Sequence, residues 1–291
     1  MLTNVVLLSL AASATAHIAS FNKGMYCKGG NDPNVDDQNT NLVVKPLYQL
    51  PKSQWWMQAD RGCDKAAPAA GEFLEIPSGG TFMTELANNR AFTTLSYNGE
   101  KCTKWQDGAD RPEPWTGPNG GQGGCLGDNP DKKGGELHTQ KQENAAGTAW
   151  AISYESDISK VSMENLVVFS VRYHTPWYRE THYDVPAGMP PCPDEGCYCA
   201  WLWVADGCGQ PNIYMQNHRC KVTGGDSSKK LAPAKPAAYC KDDQSKCVQG
   251  AKQMIAWHQA DGNNVETPDG TTPMYNQVMG FKDGAQTDIF A

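Results

Sequence analysis

The sequence has few histidines, no acceptor site for N-glycosylation and no apolar run long enough to cross a bilayer. Only 6 of its 291 residues are histidine. No Asn-X-Ser/Thr triplet occurs, so no N-linked glycan is expected. Basic residues are also fewer than acidic ones: the sequence has 25 Lys and Arg against 32 Asp and Glu, which gives a formal net charge of −7. An acidic chain of this kind is a poor partner for nucleic acid or an anionic membrane, and neither is expected as a partner.

Residues 1–16 have the features of a secretory signal peptide. An apolar run over residues 5–10 is followed by small residues, and Ala14-Thr15-Ala16 fits the A-x-A cleavage pattern. The run is too short for a membrane span. The region before it lacks Lys and Arg, which departs from the usual pattern, and the alternative is an uncleaved buried helix. The C-terminal residues carry no apolar tail, so no lipid anchor is expected. These features predict a secreted, extracellular protein.

Cleavage after Ala16 would make His17 the first residue of the mature chain. An N-terminal histidine offers its α-amine and a ring nitrogen to one metal ion. The free amine has a pKa of about 7.7–8.0, so a metal displaces only a weakly held proton. Nitrogen ligands suit Cu(II), which stands highest in the divalent affinity order. An ordinary exposed terminus is the alternative.

Eleven cysteines indicate an oxidising compartment. Beside a signal peptide they predict disulfide bonds, and the odd number leaves one thiol free or intermolecular. Their spacing lacks paired C-x2-C knuckles, which disfavours a zinc fold. Cys240 and Cys247 are close enough in sequence to close a small loop. The cysteines are residues 27, 63, 102, 125, 192, 197, 199, 208, 220, 240 and 247.

Short apolar runs separated by turn residues predict a mostly β fold. They are rich in Val, Ile, Phe, Tyr and Trp and cover residues 72–76, 91–97, 148–154, 166–173 and 199–204. This pattern is typical of an antiparallel, immunoglobulin/fibronectin-like β-sandwich with long loops. The run 166–173 predicts a central strand that is buried on both faces.

The remaining segments predict the domain organisation. Residues 107–135 are rich in Gly, Pro and Asp and predict a long surface loop pinned by Cys125. Residues 226–238 have the composition of a linker, and residues 251–259 predict a short helix. We expect one domain over residues 17–291, with a sandwich core over about 17–225 and a disulfide-stapled C-terminal extension over about 226–291.

A metal-chelating His17 needs a third nitrogen, and five histidines are candidates. His138 follows the glycine-rich loop and precedes a predicted strand, and loops at the end of a rigid sandwich are where binding residues concentrate. His174 ends a predicted strand, and His218 is expected to be exposed. His182 and His258 complete the set. Placement alone favours His138 without excluding the others.

Several motifs together resemble a known family. The sequence resembles the fungal lytic polysaccharide monooxygenases, most closely auxiliary activity family fourteen. The resemblance covers nearly the whole mature chain and is weakest over residues 99–135. The motifs that carry it occur in the family's order: His17-Ile18-Ala19, Gly24-Met25-Tyr26, Gln54-Trp55-Trp56, residues 71–77, Glu136-Leu137-His138-Thr139, residues 189–192 and 197–203, Ile213-Tyr214-Met215 and residues 280–286.

The resemblance implies a histidine brace that binds one copper ion. His17 would supply its amine and a ring nitrogen, His138 the third nitrogen, and Tyr214 an axial phenol; these three residues are the predicted catalytic and metal-binding residues. A buried strand tyrosine with a backbone partner is the alternative for Tyr214. Related enzymes often carry Gln two residues before the axial Tyr. This chain has Asn212 at that position and Gln210 nearby, so the residue that supplies a side-chain amide next to the copper ligands is not assigned.

The resemblance also implies oxidative cleavage of plant cell-wall polysaccharide, with xylan associated with cellulose as the expected substrate. Copper cycling between Cu(II) and Cu(I), an external electron donor, and O2 or hydrogen peroxide would take part, in a monomeric protein. Disulfides Cys192–Cys197 and Cys199–Cys220 are expected, the first because its loop is short. Candidate surface aromatics for stacking on sugars are Trp55, Trp56, Trp105, Trp115 and Tyr178, whereas at least one of Trp201 and Trp203 is expected in the core.

Two other functions stay open at this stage. A copper-binding protein with the same brace could serve copper acquisition without oxidative activity, although such relatives often carry a lipid-anchor signal. A secreted structural or effector protein could begin with histidine by accident. A measurement of bound copper would distinguish the structural or effector protein from the two copper proteins. Oxidised oligosaccharides would distinguish the monooxygenase from the copper-acquisition protein.

Overall fold

The computed structural model describes residues 17–112, 115, 137–139, 141–206 and 211–291. Within these residues nine strands form two sheets, one of three strands in the order β1-β3-β6 and one of six strands in the order β2-β8-β7-β4-β5-β9. This mostly β architecture confirms the predicted sandwich. No helix in the described part is long and apolar enough to cross a membrane.

The strands are short except for β7 and β8. Their bounds are β1 Ala19–Phe21, β2 Leu74–Pro77, β3 Thr81–Ala87, β4 Thr148–Ser153, β5 Val167–Arg172, β6 Glu180–Asp184, β7 Cys197–Val204, β8 Ile213–Thr223 and β9 Gly284–Ala285. All pairs are antiparallel except β2 and β8, which run parallel. The sheet departs from the predicted antiparallel pairing at this edge, where β2 reaches it from a distant part of the chain.

Helical structure in the described residues is limited to short segments of three to six residues. The α-helix α1 spans Lys52–Trp55. The described 3-10 turns are Leu42–Val44, Trp56–Arg61, Arg90–Phe92, Tyr97–Gly99, Gln142–Asn144, Ile158–Lys160, Gln244–Lys246 and Gln277–Met279.

Both faces of the six-stranded sheet are buried, which explains the continuous apolar runs of its strands. On β7, Trp201 and Trp203 face the three-stranded sheet, whereas Leu202 and Val204 point to the opposite face. Both tryptophans are core residues, as expected for at least one of them. Strand β5 lies between β4 and β9 and is buried from Val167 to Val171, which confirms the predicted central strand.

The C-terminal segment covers the outer face of the large sheet. Met254, Ile255, Tyr275 and Phe281 all pack in the outer core cluster, and β9 pairs with β5 at the sheet edge. At about 25 cal/mol for each Å² of apolar surface removed from water, this layer contributes substantially to stability. The proposed division at about residue 225 stays a prediction.

Three predictions about local structure were wrong. Residues 91–97 form no strand, because the Asn89 side chain accepts from the Ala91 N–H at 2.7 Å and starts a 3-10 turn. Residues 251–259 form no helix, since Lys252 and Gln253 pair in isolated bridges that hold the backbone extended. Residues 226–238 are not a free linker, because Ala234 and Ala237 are buried against the sandwich. Most of the predicted 107–135 loop, with Cys125, lies outside the described residues.

Disulfides join the described cysteines largely as predicted. Cys192–Cys197 and Cys199–Cys220 are both present, and Cys240–Cys247 closes the small C-terminal loop. A further bridge, Cys27–Cys63, was not predicted. Cys102 is the one free thiol among the described cysteines, and Cys125 and Cys208 lie outside them. The Cys199–Cys220 bridge fixes β7 to β8, the strand that carries Tyr214.

Candidate metal centre

His17, His138 and Tyr214 meet at one end of the sandwich. The Tyr214 hydroxyl oxygen lies 3.0 Å from Nδ1 of His17 and 3.3 Å from Nε2 of His138. The two imidazole rings lie 6.1 Å apart between centroids and are inclined by only 22°. Three residues from distant parts of the sequence, each at least 76 positions from the next, thus direct two ring nitrogens and one phenol towards the same point.

Each member of this cluster is positioned by a different element. His17 is two residues before β1 and is held by Ile18, which is fully buried between the sheets. Tyr214 is the second residue of β8, and its ring stacks on Trp203 of β7 at 4.5 Å. The Trp203 indole also contacts the edge of His138 at 5.4 Å between centroids. One core tryptophan therefore orients two of the three side chains.

His138 has an unusual backbone conformation. Its φ is +48°, in the left-handed region that few residues other than glycine adopt, although His is among those enriched there. Its neighbour Leu137 is 2% exposed and packs in the inner core. The buried leucine holds the segment against the sandwich, and the positive φ turns the imidazole towards Tyr214.

Burial controls the charge of Tyr214. Its side chain is only 2% exposed, and loss of hydration raises the pKa of the phenol well above its ordinary value, opposed only by the positive charge of Arg61. The phenol therefore keeps its proton at neutral pH, and its O–H can donate to one imidazole nitrogen at a time.

The cluster offers nitrogen rather than carboxylate or thiolate ligands. In the part of the chain that the structure describes, no group of three or more His, Cys, Asp or Glu side chains is placed to hold a metal ion. The predicted brace would not form such a group, because it takes one of its three nitrogens from an α-amine and not from a side chain. The amine exists only when the chain begins at His17.

The other four histidines lie elsewhere. His174 is exposed just after β5, with Nδ1 at 2.9 Å from the Glu143 carbonyl oxygen. His182 on β6 and His258 are also exposed. His218 was expected to be exposed, but it is fully buried on β8, where its ring meets Trp150 edge-on at 4.8 Å. The structure therefore brings only His138 to His17 among the five candidates.

Buried His218 predicts a specific dependence of stability on pH. Loss of hydration lowers its pKa from 6.5 to about 3. Between these values the unfolded chain binds one proton more than the folded chain, so His218 makes the free energy of unfolding fall by about 1.4 kcal/mol for each pH unit as the pH drops. We expect His218→Gln to lower the free energy of unfolding at pH 7. The difference in this free energy between wild type and the variant should shrink as the pH falls from 6 to 4. Denaturant unfolding measures this difference, and a difference that stays constant with pH would refute the assignment.

Two of the proposed sugar-stacking aromatics are core residues. Trp55 is fully buried and Trp105 is 1% exposed, so neither can meet a polymer. Trp56, Trp115 and Tyr178 are half-buried.

Asn212, two residues before Tyr214, is 1% exposed, and Gln210 lies outside the described residues. Sequence reasoning missed the contacts of Trp203 with His138 and Tyr214. An alternating pattern of tryptophans indicates that a side chain is buried but does not show which residues it packs against.

Comparison with known proteins identifies the family to which the chain is similar. The model of the family "Lytic polysaccharide monooxygenase AA14" matches residues 1–291. An AA14 family lytic polysaccharide monooxygenase B of Talaromyces rugulosus is 38% identical over 288 residues, which cover 95% of this chain and 94% of the relative. The enzyme of the same description from Pycnoporus cinnabarinus is 35% identical over 286 residues, covering 95% and 70%. That from Trametes coccinea (strain BRFM310) is 35% identical, covering 95% and 63%.

The match thus extends over the whole chain, although the chain spans only about two thirds of the length of two of these relatives. The chain belongs to the AA14 family of lytic polysaccharide monooxygenases, which are copper-dependent oxidoreductases.

Proposed function

We propose that the protein is secreted, begins at His17 after cleavage, and binds one copper ion through the α-amine and Nδ1 of His17 and Nε2 of His138. Tyr214 would place its hydroxyl beside the bound ion. The substrate is plant cell-wall polysaccharide, in particular xylan associated with cellulose. The observation that carries the proposal is the Tyr214 hydroxyl, which lies within 3.3 Å of one nitrogen on each histidine.

The donor atoms fit copper. In a histidine, Nδ1 and the α-amine can close a six-membered ring with a metal, whereas Nε2 points away from the amine. Nδ1 is the His17 nitrogen that faces Tyr214. Three nitrogens and a neutral phenol suit Cu(II), which favours nitrogen-rich tetragonal surroundings. Copper held by these ligands supplies the one-electron redox chemistry that breaking an unactivated C–H bond of a sugar requires.

The protein's own contribution is to hold the ligands in place before a metal arrives. Ile18 anchors the terminus in the core, and Trp203 fixes the planes of His138 and Tyr214. Ligands fixed by packing bind without the further ordering cost that flexible ones would incur. The buried phenol keeps its proton and so adds no negative charge to the site.

Four disulfides in the described part support secretion, because such bonds persist in oxidising compartments. The polysaccharide class comes from the family, and xylan on cellulose is the expectation within that class. An external electron donor and O2 or hydrogen peroxide complete the reaction.

Product analysis on defined substrates tests the proposed function. Copper-loaded protein beginning at His17, given a reductant, should release oxidised xylo-oligosaccharides from xylan-coated cellulose, as seen by mass spectrometry. The His138→Ala variant should release none under the same conditions. Hydrolytic products alone, or oxidised products from cellulose but not from xylan, would contradict the proposed substrate.

A further inference from the structure

A cavity of about 350 Å³ opens beside the metal centre and shares His138 with it. Its lining comes from distant segments: the residues after His138, the residues after β5, the residues after β7 and the segment around the turn Gln277–Met279. The residues that matter below are Thr139, Glu143, Tyr173, His174, Asp206 and Gln277. The volume lies near the lower end of the roughly 300–1,000 Å³ of small-molecule sites, which suits one or two sugar units.

The lining has the chemistry of a site for a neutral sugar. Glu143, Asp206 and Gln277 offer carboxylate and amide oxygens that accept hydrogen bonds from hydroxyl groups, and Gln277 also has N–H donors. Tyr173 and His174 add rings on which the C–H face of a sugar can pack. Among the described lining residues there are two carboxylates and no Lys or Arg. An acidic sugar would therefore meet like charges and find no permanent cation.

The walls of the cavity are fixed by hydrogen bonds. Nδ1 of His174 lies 2.9 Å from the Glu143 carbonyl oxygen, which joins two of the walls. The Tyr173 N–H donates to the Asp283 carboxylate at 2.8 Å, and its hydroxyl donates to the Phe281 carbonyl. The Asn276 side chain accepts from the Val278 N–H at 3.0 Å and starts the turn that carries Gln277. A preformed site of this kind binds a ligand at low ordering cost.

A metal ion does not account for the cavity. His138, His174, Glu143 and Asp206 all line it, yet no three such side chains in the described structure converge closely enough to hold a cation. Amides and rings placed around two separated carboxylates are suited to hydroxyl groups instead.

We infer that this cavity is a subsite that receives one neutral sugar unit of the polysaccharide and excludes units bearing a carboxylate. The inference rests on the proposed function, since His138 belongs to both sites. A sugar held there fixes the polymer relative to His138, so cleavage falls at a constant distance from the bound unit. Glu143 and Asp206 set the preference for a neutral unit by repelling an acidic one.

Binding measurements on the copper-loaded protein beginning at His17 test the subsite. The probes are xylohexaose, cellohexaose and a xylo-oligosaccharide that carries one glucuronic acid, each titrated by calorimetry. We expect a neutral hexasaccharide to bind roughly tenfold more tightly than the acidic one. His174→Ala should weaken binding of the neutral ligand by roughly tenfold. The double variant Glu143→Gln/Asp206→Asn should remove the discrimination against the acidic ligand.

Matched variants separate the cavity from general effects. His258→Ala replaces another exposed histidine with the same left-handed backbone, at φ +55° against +58° for His174, outside the cavity. Asp269→Asn removes an exposed carboxylate elsewhere. Both controls should bind like wild type. Equal affinity for all probes, or equal losses in His174→Ala and His258→Ala, would overturn the subsite.

A copper titration on the same samples distinguishes the two proposals. If wild type binds one copper ion tightly but binds no hexasaccharide, or does not discriminate between the neutral and acidic ligands, the subsite is wrong and the proposed metal centre stands. If wild type fails to bind copper, the proposed function is wrong, and any sugar binding in the cavity is independent of it.

Discussion

Adding a single residue in front of His17 is expected to weaken copper binding by roughly a thousandfold, or about 4.1 kcal/mol. In the protein beginning at His17, the α-amine has a pKa near 7.7–8.0 and gives up its proton readily to a metal. In a chain that retains Ala16, that nitrogen becomes a peptide amide, which is a far poorer ligand at neutral pH. The six-membered chelate with Nδ1 is lost at the same time, so copper would be left with two separate imidazoles.

The measurement is a competition titration of Cu(II) with both forms, produced so that they differ only at the first residue. The fold gives a clear control, because Ile18 and β1 are already packed in the core and an added residue lies outside them. Thermal unfolding without copper should therefore be the same for both forms. Equal copper affinity in the two forms would refute the role of the amine.

Replacing His138 by alanine is expected to have an effect of similar size. Loss of an outer partner of a metal ligand typically costs about 10- to 100-fold in affinity, and loss of a ligand itself should exceed that. His17 alone would hold copper through two nitrogens and leave it open to competing ligands. We therefore expect a loss of roughly a thousandfold in copper affinity, measured by the same competition titration.

Two other variants show whether that loss is specific. His258→Ala carries the same backbone penalty, since its φ is +55° against +48° for His138, and it should keep wild-type copper affinity. Tyr214→Phe should keep copper too, because the three nitrogens remain, but the Cu(II) EPR parameters should shift since the phenol beside them is lost. Loss of copper from His258→Ala, with binding retained in His138→Ala, would mean that the third nitrogen had been assigned to the wrong histidine.

The sequence predicted the continuously apolar strands and, over residues 72–76, most of the alternating strand β2, but it missed the remaining strands. Strands β4, β5 and β7 are buried on both faces, so their composition alone distinguishes them from loops. Strand β8 contains the polar run Gln216-Asn217-His218, which no alternation of apolar residues marks. Its side chains are buried because distant carbonyls receive their hydrogen bonds: Gln216 donates to Tyr26 O at 3.0 Å and Asn217 to Cys63 O at 3.1 Å.

The three residues that meet at the candidate metal centre were all named from the sequence, and their role as copper ligands stays a prediction. His17 follows from the cleavage pattern, whereas His138 and Tyr214 came from motifs of the family and not from spacing. The neighbouring cavity could not be predicted, because Glu143, His174, Asp206 and Gln277 come from four separate segments that tertiary packing brings together. His218 illustrates the same limit, since nothing local separates an exposed strand histidine from one buried against Trp150.

Counting the nitrogen atoms bound to copper tests the central claim most directly. Pulsed EPR on the Cu(II) form of the protein beginning at His17 should show couplings to three nitrogens, one of them an amine and two from imidazole rings. His138→Ala should lose one imidazole coupling and keep the amine. A wild-type spectrum with no amine nitrogen, or one unchanged in His138→Ala, would contradict a brace formed by His17 and His138.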